Sequence, residues 1–568
     1  MIAKKTGGTM HNDNHAMEIE QIEPKKLRLV IGASSLGTIF EWYDFFIFGL
    51  LTTQIAEHFF SGLSPAQGYI FALLTFSFGL AVRPLGAVFF GSIGDKKGRK
   101  GAFLATVTLM GLSTFAIGFL PDYSKIGIFA PIALFALRML QGFALGGEYG
   151  GAVIYVAEHS SQKSRGLNTA MVQSAAAPGL FGALLVVFIV RNLFGEAVFK
   201  EWAWRIPFMV SIFLLAVAIY IRLQLEESPS FKKIKEEGRA STAPLKEVFS
   251  NFRHIKLVLL ALFGLMVAQG VSWYTSHYYS QVFFEKQLHI DNKTINIWML
   301  IVTAFSAPLY VVFGALSDRI GRKPVMLFGM GLVLLSFYPG FKAMSYFGNP
   351  DLYNAQKANP VYVIANPKDC SAQFNPIGKT PDGRDAFASS CDVAKSYLAN
   401  NGIAYLNQKQ ENIGGAIVKI GDQTIASPDI RALDAKAQKE VKKQFATNMK
   451  SALAAHSYPE KADPAKINSL GILGVMAIFI IAATALFGPL AAALIELFPT
   501  RIRYTALSVP YHIGTGIFGG FVPATSFSMV AITGNMFAGL WYPLIATGIS
   551  FLVTLIFFPE TKNRNIHH

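Results

Sequence analysis

The sequence predicts an all-α membrane protein, twelve transmembrane helices in two six-helix bundles, with a small soluble α+β insertion between helices nine and ten. Three observations carry this. Charged residues make up 15% of the 568 and hydrophobic ones 52%, whereas a soluble domain carries about 25% charged residues. The apolar residues come in long runs, among them 68–90, 204–221, 470–495 and 537–558. At about 1.5 Å per residue each run crosses a hydrocarbon layer of about 30 Å. One short pattern also occurs twice with the same internal spacing, Gly91-Ser-Ile-Gly-Asp95-Lys-Lys-Gly98-Arg99-Lys100 and Gly314-Ala-Leu-Ser-Asp318-Arg-Ile-Gly321-Arg322-Lys323.

Spans of roughly 20 residues are expected near 28–50, 68–90, 102–120, 128–157, 166–190 and 204–224 in the first half. The second half places them near 255–282, 294–315, 324–345, 468–497, 503–527 and 537–558. The first run, preceded by Lys25, Lys26 and Arg28, is too long for a cleaved secretory core and reads as a span. Segments 1–27 and 559–568 are expected to be tails, 28–224 the first bundle, 225–254 a linker, and 255–345 with 468–558 the second bundle. Residues 346–467 form the insertion.

Short loops rich in Lys and Arg stay in the cytoplasm. Those after helices two, four, eight and ten hold Lys96, Lys97, Arg99, Lys100, Lys163, Arg165, Arg319, Arg322, Lys323, Arg501 and Arg503. The opposite short loops hold Lys125, Arg191, Lys200, Lys286 and Lys293. Both termini and the linker are therefore expected inside and 346–467 outside, which in a bacterium is the periplasm. The net charge of +15 lies in these loops rather than along one face, so no nucleic-acid partner is expected.

The repeated pattern follows the second helix of each half. Its Asp can cap a helix or pair with a neighbouring Arg, which makes Asp95, Arg99, Asp318 and Arg322 candidates for a breakable latch. Glu496 and Arg501, at the end of helix ten, are placed with them.

These patterns resemble the signature of the major facilitator superfamily, and further stretches are similar to its metabolite:proton symporter family. They are Glu41-Trp42-Tyr43-Asp44-Phe45, Arg83-Pro84-Leu85-Gly86, Arg138-Met-Leu-Gln141-Gly142 with Gly146-Gly147-Glu148, Trp204-Arg205-Ile206-Pro207-Phe208, and Glu496-Leu-Phe-Pro499-Thr500-Arg501-Ile-Arg503-Tyr504. The resemblance implies the major facilitator fold and secondary active transport across a bacterial inner membrane. A small polar organic metabolite, a carboxylate or zwitterion, would move together with protons by alternating access. Antiport is the alternative, and a sensor working through the insertion is a further one. The expected partners are the substrate, the proton and the lipid bilayer. The chain is expected to be a monomer and not an enzyme, with no cofactor beyond the coupling proton and no metal.

An ionisable side chain inside the membrane is a functional candidate. Glu41 and Asp44, three apart on helix one, share a face, and Arg138 lies about halfway along helix four. A carboxylate–Arg138 pair that breaks on protonation would couple proton to substrate; the alternative is permanent hydrogen bonding in the packing. Glu148 is either a second proton stop or a plain interhelical pair. Substrate-wall candidates are Tyr43, Arg83, Gln141, Trp273, Tyr274, His277 and Tyr511. Arg83 could equally brace its loop, and the aromatics could form an interfacial belt.

In the insertion, Val361-Tyr-Val363 and Ala416–Ile420 read as strands. Leu433, Ala437, Val441, Phe445, Met449 and Leu453 read as one face of an amphipathic helix. Both cysteines, Cys370 and Cys391, lie here, and an oxidising compartment favours their disulfide. A structural cap, a docking module and a substrate-capture surface all remain open as its role.

Overall fold

The computed structural model describes residues 24–61, 65–224, 227, 229–238, 241–371 and 387–566. Most of the N-terminal tail, Glu226, Ser228 and the middle of the Cys370–Cys391 loop lie outside the described residues. The long helices in chain order are α1 (Pro24–Leu50), α2 (Pro65–Lys97), α3 (Arg99–Ile117), α4 (Phe129–Glu158), α5 (Arg165–Glu201) and α6 (Ala203–Leu223). There follow α7 (Phe252–Gln287), α8 (Asn292–Ile320) and α9 (Arg322–Gly348). Among the described residues nine helices are long and apolar enough to cross a membrane. α1 and α2 are not among the nine, and they carry Glu41 and Asp44, and Arg83 and Asp95, respectively.

The repeated pattern is not a loop. α2 runs through Asp95 to Lys97 and α8 through Asp318 to Ile320, and a single residue separates each from the next helix. The joints are Gly98 and Gly321, with φ of 124° and 109°, a region open to glycine and costly for other residues. The joint keeps Arg99 and Arg322 within reach of the Asp four residues before. α2 and α4 also cross closely, because a Cβ on Gly142 would strike the backbone at Gly79.

The insertion begins with α10 (Pro350–Ala358), capped by the Asn349 side chain. It holds α11 (Ser390–Asn400), α12 (Ala435–Ala455), and strands β1 (Val361–Ala365), β2 (Tyr405–Lys409), β3 (Ile417–Ile420) and β4 (Gln423–Ala426). The sheet order is β2-β1-β3-β4, with β1 parallel to β2 and antiparallel to β3. Both expected strands and the amphipathic helix are present, and β2 and β4 are additional. β2 alternates poorly, with only Tyr405 buried, so period-two patterning gave it no signal. Val363, Val418, Phe445, Met449 and Cys391 form a core separate from that of the membrane helices.

The insertion seats on one half. Asn349 Nδ2 donates to the Leu288 carbonyl (2.9 Å), Ala462 N–H to His289 (3.2 Å), Tyr405 N–H to Gly534 (2.9 Å) and Asn407 Nδ2 to Thr533 (2.8 Å). The chain returns through α13 (Ser469–Leu497), α14 (Arg503–His512, continued by a π-helical stretch Ile513–Gly519), α15 (Val522–Thr533) and α16 (Ala538–Phe557).

Candidate functional site

Two sites emerge, a charged seam where the halves meet at one end and a central wall of charges and rings. In the seam, Asp95 pairs with Arg99 at 2.6 Å and accepts the N–H groups of Tyr504 (3.1 Å) and Thr505 (2.8 Å) in the first turn of α14. Asp318 repeats the arrangement, pairing with Arg322 at 2.6 Å and accepting from Gly166 (2.9 Å) and Leu167 (2.8 Å) in the first turn of α5. Each carboxylate thus sits on a helix N-terminus of the opposite half, where free N–H groups and the helix dipole favour an anion. Each such bond to a charged group contributes about 1.5–3 kcal/mol.

Two further carboxylates exchange arginines across the seam. Glu158, ending α4, binds Arg503 at 2.7 Å. Glu496, at the end of α13, binds Arg165 at 2.8 Å and Arg322 at 3.1 Å. A carboxylate closing each half completes the set. Glu227 accepts from Arg99 N–H (2.9 Å) and Lys100 N–H (3.3 Å), and Glu560 from Arg322 N–H (2.9 Å) and Lys323 N–H (3.1 Å).

Asp95, Arg99, Asp318, Arg322 and Glu496 are therefore brought together as the sequence suggested. Arg501 is not: it is half exposed and pairs with Glu247 of the linker. Arg503, two residues on, enters the seam instead: in the short turn Thr500–Ile502 before α14, Thr500 and Ile502 are buried and Arg501 between them is turned to the outside. Glu158 was not singled out from the sequence, and Arg503 stood only among the loop cations and in the stretch after Glu496, although a signal for both as latch residues was present. Glu158 precedes Arg165, and Glu496 precedes Arg503, by the same seven positions.

The central site is built on α1. Glu41 faces Arg83 of α2 at 3.9 Å, with side chains 13% and 12% exposed, a loose pair open to a third partner. Asp44 is buried and joined to Arg138 through Gln141, whose Nε2 donates to Asp44 Oδ2 (3.1 Å) and Thr114 Oγ1 (2.8 Å) and whose Oε1 accepts from Arg138 (2.7 Å). Asp44 Oδ1 has no hydrogen-bond partner among the described residues. Arg138 also lies 4.1 Å from the centre of the Phe48 ring, a cation–π contact. Glu148 is held by Arg222 of α6 (2.7 Å) and by the Thr106 hydroxyl (3.0 Å), an interhelical pair within one half.

Across from α1, Trp273 donates its Nε1–H to the Tyr310 hydroxyl (3.1 Å) and its ring lies 5.5 Å from that of Trp42. Tyr274 stacks on Tyr278, and Phe45 meets Tyr278 at 6.1 Å. His277 is buried, stacked on Trp273, with Nδ1 against the Trp273 carbonyl (3.1 Å). This stretch of α7 (Thr275–Tyr279) is π-helical, a distortion that often marks functional segments. Tyr511 stacks face to face on Tyr149, ring centres 3.6 Å apart, across the two halves.

Tyr43 does not belong to the wall. Its hydroxyl donates to the Pro207 carbonyl (2.9 Å) and its ring is buried within the first half. One helical step of about 100° separates it from Trp42, so Trp42 takes the facing position. In the insertion, Cys370 and Cys391 are joined by a disulfide, their Cα atoms 5.2 Å apart.

The profile of the family described as "Sugar (and other) transporter" matches residues 29–247 and 230–351. The chain belongs to this family. Its match ends where the insertion begins. The family's curated relatives include a proline/betaine transporter of Escherichia coli (strain K12), 36% identical over 336 residues, and a glycine betaine/proline/ectoine/pipecolic acid transporter, OusA, of Dickeya dadantii (strain 3937), 36% identical over 335. Each alignment covers 57% of this chain and 66% of the relative. The major facilitator proton:xylose symporter XylE, solved with 6-bromo-6-deoxy-D-glucose, superposes with a TM-score of 0.60 at 14% identity, over 96% of this chain and 98% of that one. The major facilitator fold is thereby shown, and the relatives of this membrane protein are transporters rather than enzymes.

Proposed function

We propose that the protein is a proton-coupled symporter of a small zwitterionic or carboxylate metabolite, working by alternating access through twelve spans. The observation that carries this reading is the division of labour on α1. Glu41 and Asp44, three residues apart, address two different arginines, one pair loose and open, the other buried and relayed. A zwitterion between Glu41 and Arg83 finds a cation for its carboxylate, and for its cationic end an anion and the ring faces of Trp42, Trp273 and Tyr274. Asp44, with one lone-pair oxygen unengaged, is suited to take a proton, which would loosen the Gln141 relay to Arg138. The named substrates of the E. coli and Dickeya relatives, proline and betaines, agree with such a site.

Glu158, Glu496, Asp95 and Asp318 then act as the inner gate, on the cytoplasmic side by the Lys and Arg distribution. Both termini lie in the cytoplasm, the insertion in the periplasm and the spans in the inner membrane. The two halves rock about the central site, in which no cofactor other than the proton takes part, and a monomer suffices. Uptake of a radiolabelled betaine or proline into proteoliposomes tests this. An inward proton gradient should drive accumulation above equilibrium, and equal levels with and without the gradient would refute coupling.

A further inference from the structure

His512 ends the regular α-helical part of α14, between the halves, and takes no part in the proposed transport step. It is 1% exposed, and neither ring nitrogen has a hydrogen-bond partner among the described residues. α14 lies along α2, Thr505 against Gly91 and Gly516 against the Leu80 carbonyl, which sets His512 opposite the Arg83 region. The Gly146 carbonyl of α4 and the Arg83 charge are its polar neighbours there, Gly146 without completing a hydrogen bond. Tyr511 meets the imidazole edge-on at 5.0 Å. Of the other titratable groups around Arg83, Glu41 comes from α1, Arg138 from α4, Tyr149 from α4 through its stack on Tyr511, Tyr511 from α14 itself, and Tyr274 and Tyr278 from α7. Along α14, His512 lies nine residues from Arg503, about 13 Å above the latch and on the side of the central site.

We infer that His512 is a proton-sensitive positioning residue that acts through Arg83, and that its protonation parts α14 from α2 and α4. A neutral imidazole tolerates the closed seam, though unpartnered. An imidazolium in the same place would face Arg83 in a medium of low dielectric, and like charges there repel strongly. Parting the helices hydrates both groups, so the open form binds the proton more tightly. By linkage the proton then favours the open form. The repulsion is greatest when Glu41 is occupied by a proton or a substrate cation and no longer offsets Arg83. Loading of the central site and release of the latch would thus be connected.

The inference rests on the alternating-access reading, but its test needs no substrate. Both native cysteines are in the disulfide and no free cysteine is present among the described residues, so Ser508→Cys supplies one thiol. Ser508 is fully buried on α14, against Gly150 of α4. Labelling by a membrane-permeant maleimide in proteoliposomes would be compared with His512 intact, with His512→Gln and with His512→Phe. All three carry the same thiol, so its own titration cancels in the ratio. With His512 intact, labelling relative to either variant should rise about fourfold between about pH 8 and about pH 6, the most that an open-form imidazole titrating at the usual histidine value of about 6.5 supplies. A ratio independent of pH, or a Gln variant that keeps the full response, would overturn the inference. Failure of gradient-driven uptake with this labelling response intact would instead count against the proposed symport alone.

Discussion

At the scale of single residues, Glu41 and Asp44 share one helix yet serve different arginines, Arg83 at 3.9 Å and Arg138 by way of Gln141. Glu41, Asp44, Arg83, Arg138 and Gln141 stand out in the sequence because ionisable and amide groups are costly in hydrocarbon. Which of them meet depends on how each helix is turned about its axis. Asp44 reaches Arg138 through Gln141, and Glu41 takes Arg83. Replacing Gln141 by Leu should therefore cut the relay while leaving the Glu41–Arg83 wall in place. Gradient-driven accumulation should fall about tenfold, equivalent to about 1.4 kcal/mol, with substrate-induced thermal stabilisation retained. Uptake and melting measured on the same preparation check both halves of that statement. Tyr43 shows the limit of reading residues singly, since its neighbour Trp42 occupies the wall and Tyr43 is spent on Pro207.

At the scale of elements, the insertion behaves as a small domain with its own core, and its stability can be addressed separately. The disulfide spans a separation of 21 residues, and closing a loop of that size stabilises by about 3 kcal/mol. A reductant should lower the unfolding midpoint of the insertion, followed by limited proteolysis, and leave the helical signal of the spans unchanged. His456 offers a pH handle. The Ala452 carbonyl, and then the Asp422 carboxylate at 3.1 Å, hold its imidazole above the ordinary 6.5. A raised histidine contributes stability that is complete below about 6.5 and lost as pH climbs through the higher native value. The insertion should thus lose more stability between about pH 6 and about pH 8 than a His456→Gln variant does, a difference readable by proteolysis across that range. The strands of this domain were half visible in advance. β1 and β3 are apolar runs, whereas β2 presents Leu406, Asn407, Gln408 and Lys409 outward and carries no alternation to detect.

At the scale of the whole molecule, the seam is two copies of one device related by the internal repeat. Asp95 holds the first turn of α14 and Asp318 the first turn of α5. Glu158 and Glu496 each hold an arginine of the other half. Removing one partner of a buried pair costs about 3–5 kcal/mol. Asp95→Asn and Asp318→Asn should therefore each favour the open seam by similar amounts, and the double variant should open further than either. Labelling of the Ser508→Cys thiol at one pH measures all three, and an effect confined to one Asp would contradict the equivalence of the two copies.

The sequence by itself determined the class of the protein, its long apolar runs, the repeat and the ionisable residues set among apolar ones. These follow from composition and spacing, which are local properties of the chain. Only the tertiary structure decided that the repeated pattern is a helix end with a glycine joint, that Arg503 rather than Arg501 joins the latch, and that each half lends its carboxylates to the helix starts and arginines of the other. Those choices depend on the rotation and adjacency of helices hundreds of residues apart, which burial and hydrogen bonding fix jointly and no local stretch encodes.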